Sequence, residues 1–237
     1  KAAPDVKLDY TFADTYVAYL HATGGTRLND FRQQNEESPY WGVINQMRTS
    51  YTPADLQVGF KASPLPGLDF HLFGGYRVTK DEIFHLPGIT DTDFPYCYSL
   101  LMQEKAKVGY GGIKAAYGYK DIFDFSVGGT YYGWNVKDEA KVLLYLKPEF
   151  VLDASARAKV YDEFWVSAAY RYEGRVKAGE LEKADAINNL SLSAGYEFFN
   201  SLNVFVRFNN LLNQDYITEA GYPVQGFNAM AGVSFRF

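Results

Sequence analysis

The chain has 237 residues, a formal net charge of −5 and an aromatic content of 17%. It contains no run of about 18 uninterrupted apolar residues, which excludes a transmembrane helix. Without a basic patch or Lys/Arg run, the negative charge also argues against nucleic acid as a partner.

Runs of alternating apolar and polar residues recur along the chain. Side chains on a strand point to opposite faces in turn, so each run predicts a strand with one apolar and one polar face. The first candidate places Val6, Leu8, Tyr10 and Phe12 opposite Lys7, Asp9 and Thr11. We predict eleven strands, over residues 6–12, 15–22, 54–62, 68–78, 106–119, 123–134, 142–160, 164–173, 190–198, 202–211 and 226–237.

Three of these runs have irregular features. Both faces of 15–22 are largely apolar, so its orientation is the least clear. The run 106–119 changes phase at Gly111-Gly112, which predicts a bulge or bend. In the long run 142–160, Pro148 has no backbone N–H and must lose one ladder hydrogen bond.

The carboxyl-terminal run FNAMAGVSFRF alternates most regularly. Its apolar face includes Val233, Phe235 and Phe237, and small or polar residues occupy the other face. A strand of this kind, ending on an aromatic residue, is typical of a bilayer barrel, where the apolar face meets lipid and the polar face a wet lumen. We interpret Val233, Phe235 and Phe237 as belonging to a membrane-insertion strand.

The predicted connections fall into two length classes. Those after the first, third, fifth, seventh and ninth strands are about two to five residues long, as is typical of the periplasmic turns of outer-membrane barrels. The others are long, as is typical of extracellular loops. They cover residues 23–53, 79–105, 135–141, 174–189 and 212–225.

Solvation explains why this pattern favours a membrane. An unpaired backbone group in hydrocarbon costs several kcal/mol, so a sheet in lipid must close on itself. The fold class predicted is all-β, an antiparallel transmembrane β-barrel with about 11–12 strands in this chain. Aromatic residues beside the tight turns are predicted to form the periplasmic girdle; they are Phe12, Tyr16, Tyr119, Phe123, Phe164, Phe198 and Phe199.

The predicted strand number is odd, whereas a complete bacterial barrel has an even number with both termini periplasmic. A missing strand, a strand hidden in 23–53 or a truncated amino terminus would each explain the odd number. The segment WGVINQMRTSY, residues 41–51, supplies either that hidden strand or an extension of the strand beginning at Ala54. We favour truncation. The chain also opens without the features of a signal peptide, so either that peptide has been removed or this chain is a later part of something longer. We therefore expect residues 1–237 to form one barrel domain, the carboxyl-terminal portion of a larger barrel.

The segment LNVFVRFNNLLNQDYITEAGYPVQGFNAMAGVSFRF, residues 202–237, resembles the carboxyl-terminal end of TonB-dependent outer-membrane receptors. That family commonly has a strand, an N-L-L-N-x-x-Y motif, a G-Y-P loop and a last strand closing on Phe. The matching residues are Asn210, Leu211, Leu212, Asn213, Tyr216, Gly221, Tyr222, Pro223 and Phe237. Residues 10–31 are similar to an internal hairpin of such a barrel.

The resemblance implies a transport protein of the Gram-negative outer membrane. Family members have a 22-stranded barrel and an amino-terminal plug domain, and neither a plug nor a second half-barrel fits within 237 residues. The implied partners are outer-membrane lipid, a small-molecule solute such as a nutrient or siderophore, and other outer-membrane or periplasmic proteins. The resemblance does not identify the solute.

Candidate ligand-binding residues come from the predicted lumen and the longest loop. The loop 23–53 mixes arginine with aromatic residues, a composition suited to ligand contact. Predicted lumen-facing arginines pair with carboxylates such as Asp69, Asp124 and Asp153. The candidates are Arg32, Tyr40, Trp41, His21, Arg77, Arg157, Arg171 and Arg207.

No metal site, cofactor or enzymatic activity is predicted. His21 and His71 are expected to face the lumen and His85 to lie in a long loop, and no histidines stand at ligand spacing. The function predicted is solute transport. The alternative is a structural barrel subunit of an outer-membrane assembly, with an enzyme as a third hypothesis.

Overall fold

The computed structural model describes residues 2–37, 39–40, 47–89, 97–198, 201–219 and 222–236. Almost all of the regular structure is one antiparallel sheet of eleven strands, in which each strand pairs with its neighbours in chain order. A separate two-stranded ribbon lies in the last long connection. The predicted all-β class and the number of main strands are confirmed.

The strands of the main sheet are β1 (Asp5–Phe12), β2 (Tyr16–Arg27), β3 (Ser50–Leu65), β4 (Leu68–Ile89), β5 (Cys97–Tyr119), β6 (Phe123–Asn135), β7 (Pro148–Lys159), β8 (Phe164–Arg175), β9 (Ile187–Phe198), β10 (Leu202–Asn209) and β13 (Asn228–Phe235). The ribbon consists of β11 (Ile217–Glu219) and β12 (Tyr222–Pro223). A short helix α1 (Phe31–Glu37) follows β2, and a 3-10 helix (Asp138–Leu144) precedes β7. Within the described ranges, neither helix is long and apolar enough to cross a membrane.

One face of the sheet is apolar yet exposed. Partners across the strands share a face, as in Phe60 opposite Leu72 and Leu72 opposite Ile113. Leu72 is 57% exposed and Ile113 56% exposed, although both are large and apolar. A water-soluble domain rarely leaves so extensive an apolar face uncovered, and such a face marks a partner or a membrane.

Aromatic side chains cluster beside the short turns, as predicted. The ring centroids of Phe12 and Tyr16 lie 5.5 Å apart, and Phe60 is within 6.0 Å of both. Phe198 lies 4.6 Å from Tyr196 at the β9–β10 turn. Phe199, also assigned to this girdle, lies outside the described residues.

The long connections are shorter than expected because several strands extend further. β4 and β5 pair as far as Ile89 opposite Cys97, so most of the predicted loop 79–105 is a hairpin, and His85 lies within β4. Ser50 and Tyr51 extend β3, which confirms the second alternative for that end of 41–51. Residues 41–46 lie outside the described part of the chain.

The predicted bulge at Gly111-Gly112 is wrong. The pairing of β5 with β6 runs without a shift from Lys107 to Tyr119, and the irregularity between β4 and β5 lies at Thr79/Glu82 instead. The glycine at 112 serves close packing. A Cβ there would lie 2.8 Å from the Phe73 ring and 2.5 Å from the Gly129 carbonyl oxygen.

Residues 142–147 are not a strand, contrary to the prediction. Leu143 and Leu144 end the 3-10 helix and are both buried, against Phe84, Ala106 and Ala178. Two adjacent residues on a strand face opposite ways, so this joint burial requires another conformation. Pro148 begins β7, next to a register shift at Pro148/Phe150, as expected from its missing N–H.

Candidate functional site: the concave polar face

The polar residues predicted to face a lumen lie together on the concave face of the sheet. They surround a concavity of about 740 Å³, within the range typical of small-molecule sites. Its lining includes Lys61, Asp69, His71, Lys114, Asp153 and Arg171. The concavity therefore extends from β3 across to β8.

Lys61, His71 and Lys114 form a row across three strands, here called the basic row. Lys61 lies opposite His71, and His71 opposite Lys114. The Tyr19 hydroxyl and His71 Nε2 are hydrogen-bonded at 2.8 Å. The Lys61 ammonium lies 5.4 Å from the Tyr19 ring centroid, and that of Lys114 lies 5.6 Å from the Phe73 centroid.

Asp153, Arg171, Glu173 and Arg175 form a second group nearer the long loops, here called the rim network. Arg171 donates to Asp153 Oδ1 at 2.9 Å and to Glu173 Oε2 at 2.7 Å. Arg175 is only 4% exposed and donates to Glu173 Oε1. It also donates to the carbonyl oxygens of Leu146 and, at 3.0 Å, Ile217.

The rim network thereby ties three connections to β8. Leu146 belongs to the connection before β7, and Ile217 begins the ribbon after β10. The connection after β8 joins them, since the Val176 N–H donates to the Lys147 carbonyl at 2.9 Å. In the 3-10 helix before β7, the Lys141 ammonium lowers the pKa of Asp138 by its hydrogen bond and its positive charge.

Among the residues that the structure describes, one of the predicted arginine–carboxylate pairings forms, that of Arg171 with Asp153. Arg157 instead lies over the Trp165 ring, 4.4 Å from its centroid, and Asp69 accepts a hydrogen bond from Ser63. Arg77 and Arg207 form no ion pair among the described residues. The prediction failed because lumen-facing direction alone does not fix which side chains reach one another.

His21 and His71 face the concave side as predicted. His21 Nε2 lies 3.1 Å from Asp9 Oδ1 on the neighbouring strand, and His71 belongs to the basic row. Over the described ranges, no group of three or more His, Cys, Asp or Glu residues could hold a metal ion.

Arg32 and Tyr40, the two described candidates of the first long loop, make separate contacts. Arg32 is exposed and pairs with Glu36 one helical turn away, at 3.1 Å. Tyr40 stacks on Tyr222 of the ribbon, with centroids 3.6 Å apart. This stack joins the connection after β2 to the one after β10. Trp41 lies outside the described residues.

The N-L-L-N motif at the end of β10 has a structural role. Asn210 is buried, and its amide group donates to the carbonyl oxygens of Gln214 and Gln225 at 3.0 and 3.2 Å. Asn213 Oδ1 accepts from the Phe227 N–H at 2.9 Å. Both asparagines have a positive φ, which this residue type tolerates better than most. The motif thus holds both ends of the last long connection and positions β13.

The carboxyl-terminal strand lies as predicted. Val233 and Phe235 are exposed on the apolar face, opposite Val204 and Leu202 of β10. Phe237 lies outside the described residues. In the sheet order, β13 and β1 occupy the two ends, so each has one partner strand among the described residues.

Of the seven residues in the basic row and the rim network, only Arg171 stands among the candidate ligand-binding residues. Lys61 and Lys114 were assigned no role, and Arg175 lay in a predicted loop. The short β3–β4 turn brings Lys61 and His71 near each other, because both stand five residues from Pro66, but a register shift at Ala62/Leu65 decides their direct pairing. The long β4–β5 hairpin gives no such signal for Lys114.

No protein-family model matches the sequence, and no curated protein sequence does. Solved structures do match it in fold. The copper transporter OprC has a TM-score of 0.69 at 15% identity over 98% of this chain. The siderophore receptor PirA from Acinetobacter baumannii has a TM-score of 0.70 at 11% identity over 99% of it. The ferric-catecholate import receptor Fiu from E. coli K12 has a TM-score of 0.68 at 16% identity over 98% of it.

These matches confirm the fold. The chain has the antiparallel sheet architecture of these receptors and transporters, and the likeness in fold extends over nearly the whole chain. It spans 40% of OprC, 41% of PirA and 34% of Fiu, which is well under half of each.

Proposed function

We propose that this chain is a wall segment of an outer-membrane transport receptor that takes up a metal or a metal chelate. One observation carries the proposal: a single sheet has an exposed apolar face and a concave face lined by polar and charged residues. Lipid is the medium that makes such an apolar face favourable, and a watery lumen is the medium that accommodates the charges.

The structural neighbours support the solute class. OprC is a copper transporter, Fiu imports ferric catecholate, and PirA is a siderophore receptor. Transport is favoured over catalysis because these neighbours are transporters and receptors. The absence of an enzymatic activity stays a prediction.

We further propose that additional strands complete the barrel. The backbone N–H and C=O groups along the outer edges of β1 and β13 need partners, because each unpaired group in hydrocarbon costs several kcal/mol. Those strands belong either to more of the same polypeptide or to a second chain.

The test is a localisation and uptake experiment on the whole protein in a Gram-negative host. Fractionated membranes should contain it in the outer membrane, and detergent should be required to release it. Cells that express it should take up ⁵⁵Fe-catecholate or ⁶⁴Cu faster than cells lacking it. Release in plain buffer would contradict the membrane assignment. Outer-membrane location without uptake, in a stoichiometric complex, would support the structural role instead.

A further inference from the structure

The basic row is the least compensated group of charges on the concave face. Neighbouring strands lie about 4.7–4.9 Å apart, so two lysines on strands two apart place two positive charges about 10 Å from each other, and these charges repel. Here two lysines flank one histidine on three adjacent strands. A favourable arrangement of this row needs a negative partner.

The described residues do not supply that partner. Neither Lys61 nor Lys114 has a carboxylate within ion-pair distance in the described part of the chain. Asp69 is the nearest acidic neighbour along β4, and its carboxylate accepts the Ser63 hydroxyl. Tyr19 and Phe73 meet the lysines with ring faces, which attract a cation less strongly than a buried carboxylate does.

The row is also accessible and positioned. Lys61 and Lys114 are exposed to the concavity, and His71 is half-buried beneath them. The sheet surface beneath the basic row is closely packed, because a Cβ at Gly59 would lie 2.5 Å from the Tyr19 ring. The Tyr19 ring therefore supports Lys61 and His71, and the Phe73 ring supports Lys114.

We propose that the basic row binds an oxyanion, either a carboxylate or a phosphate group of a solute in the lumen. Two ammonium groups, together with the His71 Nδ1–H when Nε2 accepts from the Tyr19 hydroxyl, can donate to an anion with several oxygen atoms, and charge-assisted hydrogen bonds are the strong ones. This proposal rests on the proposed transport function and assigns an anionic group to its solute.

The test compares two double variants of the whole protein in detergent micelles. Lys61→Gln/Lys114→Gln removes the row, and Lys7→Gln/Lys159→Gln removes the same charge from exposed positions on the same face. Equilibrium dialysis with ³²P-phosphate and with ¹⁴C-succinate separates the two anion chemistries. The first variant should lose at least about tenfold in affinity, since a charge-assisted hydrogen bond is worth that much. The control should stay within about twofold of wild type.

Saturable binding of either anion, lost only in the first variant, supports the proposal. Equal affinity in both variants would overturn it. So would a wild-type protein that binds neither anion, as expected if a carboxylate of another protein segment already covers the row. Failure of the transport proposal is recognised separately, by loss of outer-membrane location in the fractionation experiment.

Discussion

The basic row and the rim network place the same kinds of side chain on the same face of one sheet, yet their surroundings differ. In the rim network, each arginine meets a carboxylate, and Arg175 also meets two backbone carbonyls while being 4% exposed. In the basic row, Lys61 and Lys114 meet ring faces and open space. The difference is that the paired charges hold the connections together, whereas the two lysines have no ion-pair partner among the residues that the structure describes.

Burial decides which group contributes to folding. A buried ion pair contributes little by itself, but removing one partner leaves the other charge desolvated and costs about 3–5 kcal/mol. An exposed charge contributes little either way. Substitutions should therefore affect stability at the rim and binding at the row.

The largest effect is expected for Arg175→Ala. The substitution removes the closer of the two arginines that pair with Glu173, and it leaves the carbonyl oxygens of Leu146 and Ile217 without this donor. The free energy of unfolding should therefore fall by about 3–5 kcal/mol. Urea unfolding of the whole protein in lipid vesicles measures it, and limited proteolysis should cut within 138–147 or 210–227. Arg157→Ala, which removes an exposed arginine over Trp165, is the control and should cost about 1 kcal/mol or less. Equal costs for the two variants would remove the contrast between paired and open charges.

Leu72→Arg tests the other face of the strand that carries His71. Leu72 is 57% exposed on the apolar face, near the middle of the first eleven residues of β4. A charge there in lipid should reduce the free energy of unfolding by about 2–4 kcal/mol. The control is Gln57→Arg on the concave face, which should cost about 0.5 kcal/mol or less. If both arginines cost the same in vesicles, lipid does not cover the apolar face.

Gly195→Ala tests the aromatic packing beneath the concave charges. A Cβ at 195 would lie 2.5 Å from the Trp165 ring, which itself supports Arg157. Overpacking of this kind costs about 1–3 kcal/mol. Gly74→Ala is the control, because its added Cβ lies 3.6 Å from the nearest atom. Thermal melts measure both variants. A melting temperature of Gly195→Ala equal to or above that of Gly74→Ala would argue against close packing of Trp165 on Gly195.

Lys61→Gln should have the smallest effect on stability. The loss of repulsion across the basic row and the loss of contact with the Tyr19 ring oppose each other, so the change should stay within about 0.5 kcal/mol. Urea unfolding without added phosphate or succinate checks this. A loss comparable to that of Arg175→Ala would mean that Lys61 belongs to a structural network and not to an open site.

Alternation in the sequence determined the faces of the strands. Val6, Leu8, Tyr10 and Phe12 turn outward and Lys7 and Asp9 inward, because neighbouring side chains on an extended chain point opposite ways whatever surrounds them. The tight turn after β1 likewise keeps its pairing local, with Phe12 opposite Tyr16. These features depend on residues close together in the chain.

Tertiary structure alone decided the contacts between distant residues. The alternating apolar residues at 142 and 144 suit a strand, yet Leu143 and Leu144 form a helix end because Phe84, Ala106 and Ala178 bury both. Lys114 joins the basic row only through a hairpin that runs to Ile89 and Cys97. Arg175 reaches Ile217 only because two connections fold over the same rim. Local periodicity cannot specify such partners, since they depend on the register of long hairpins and on how loops pack on one another.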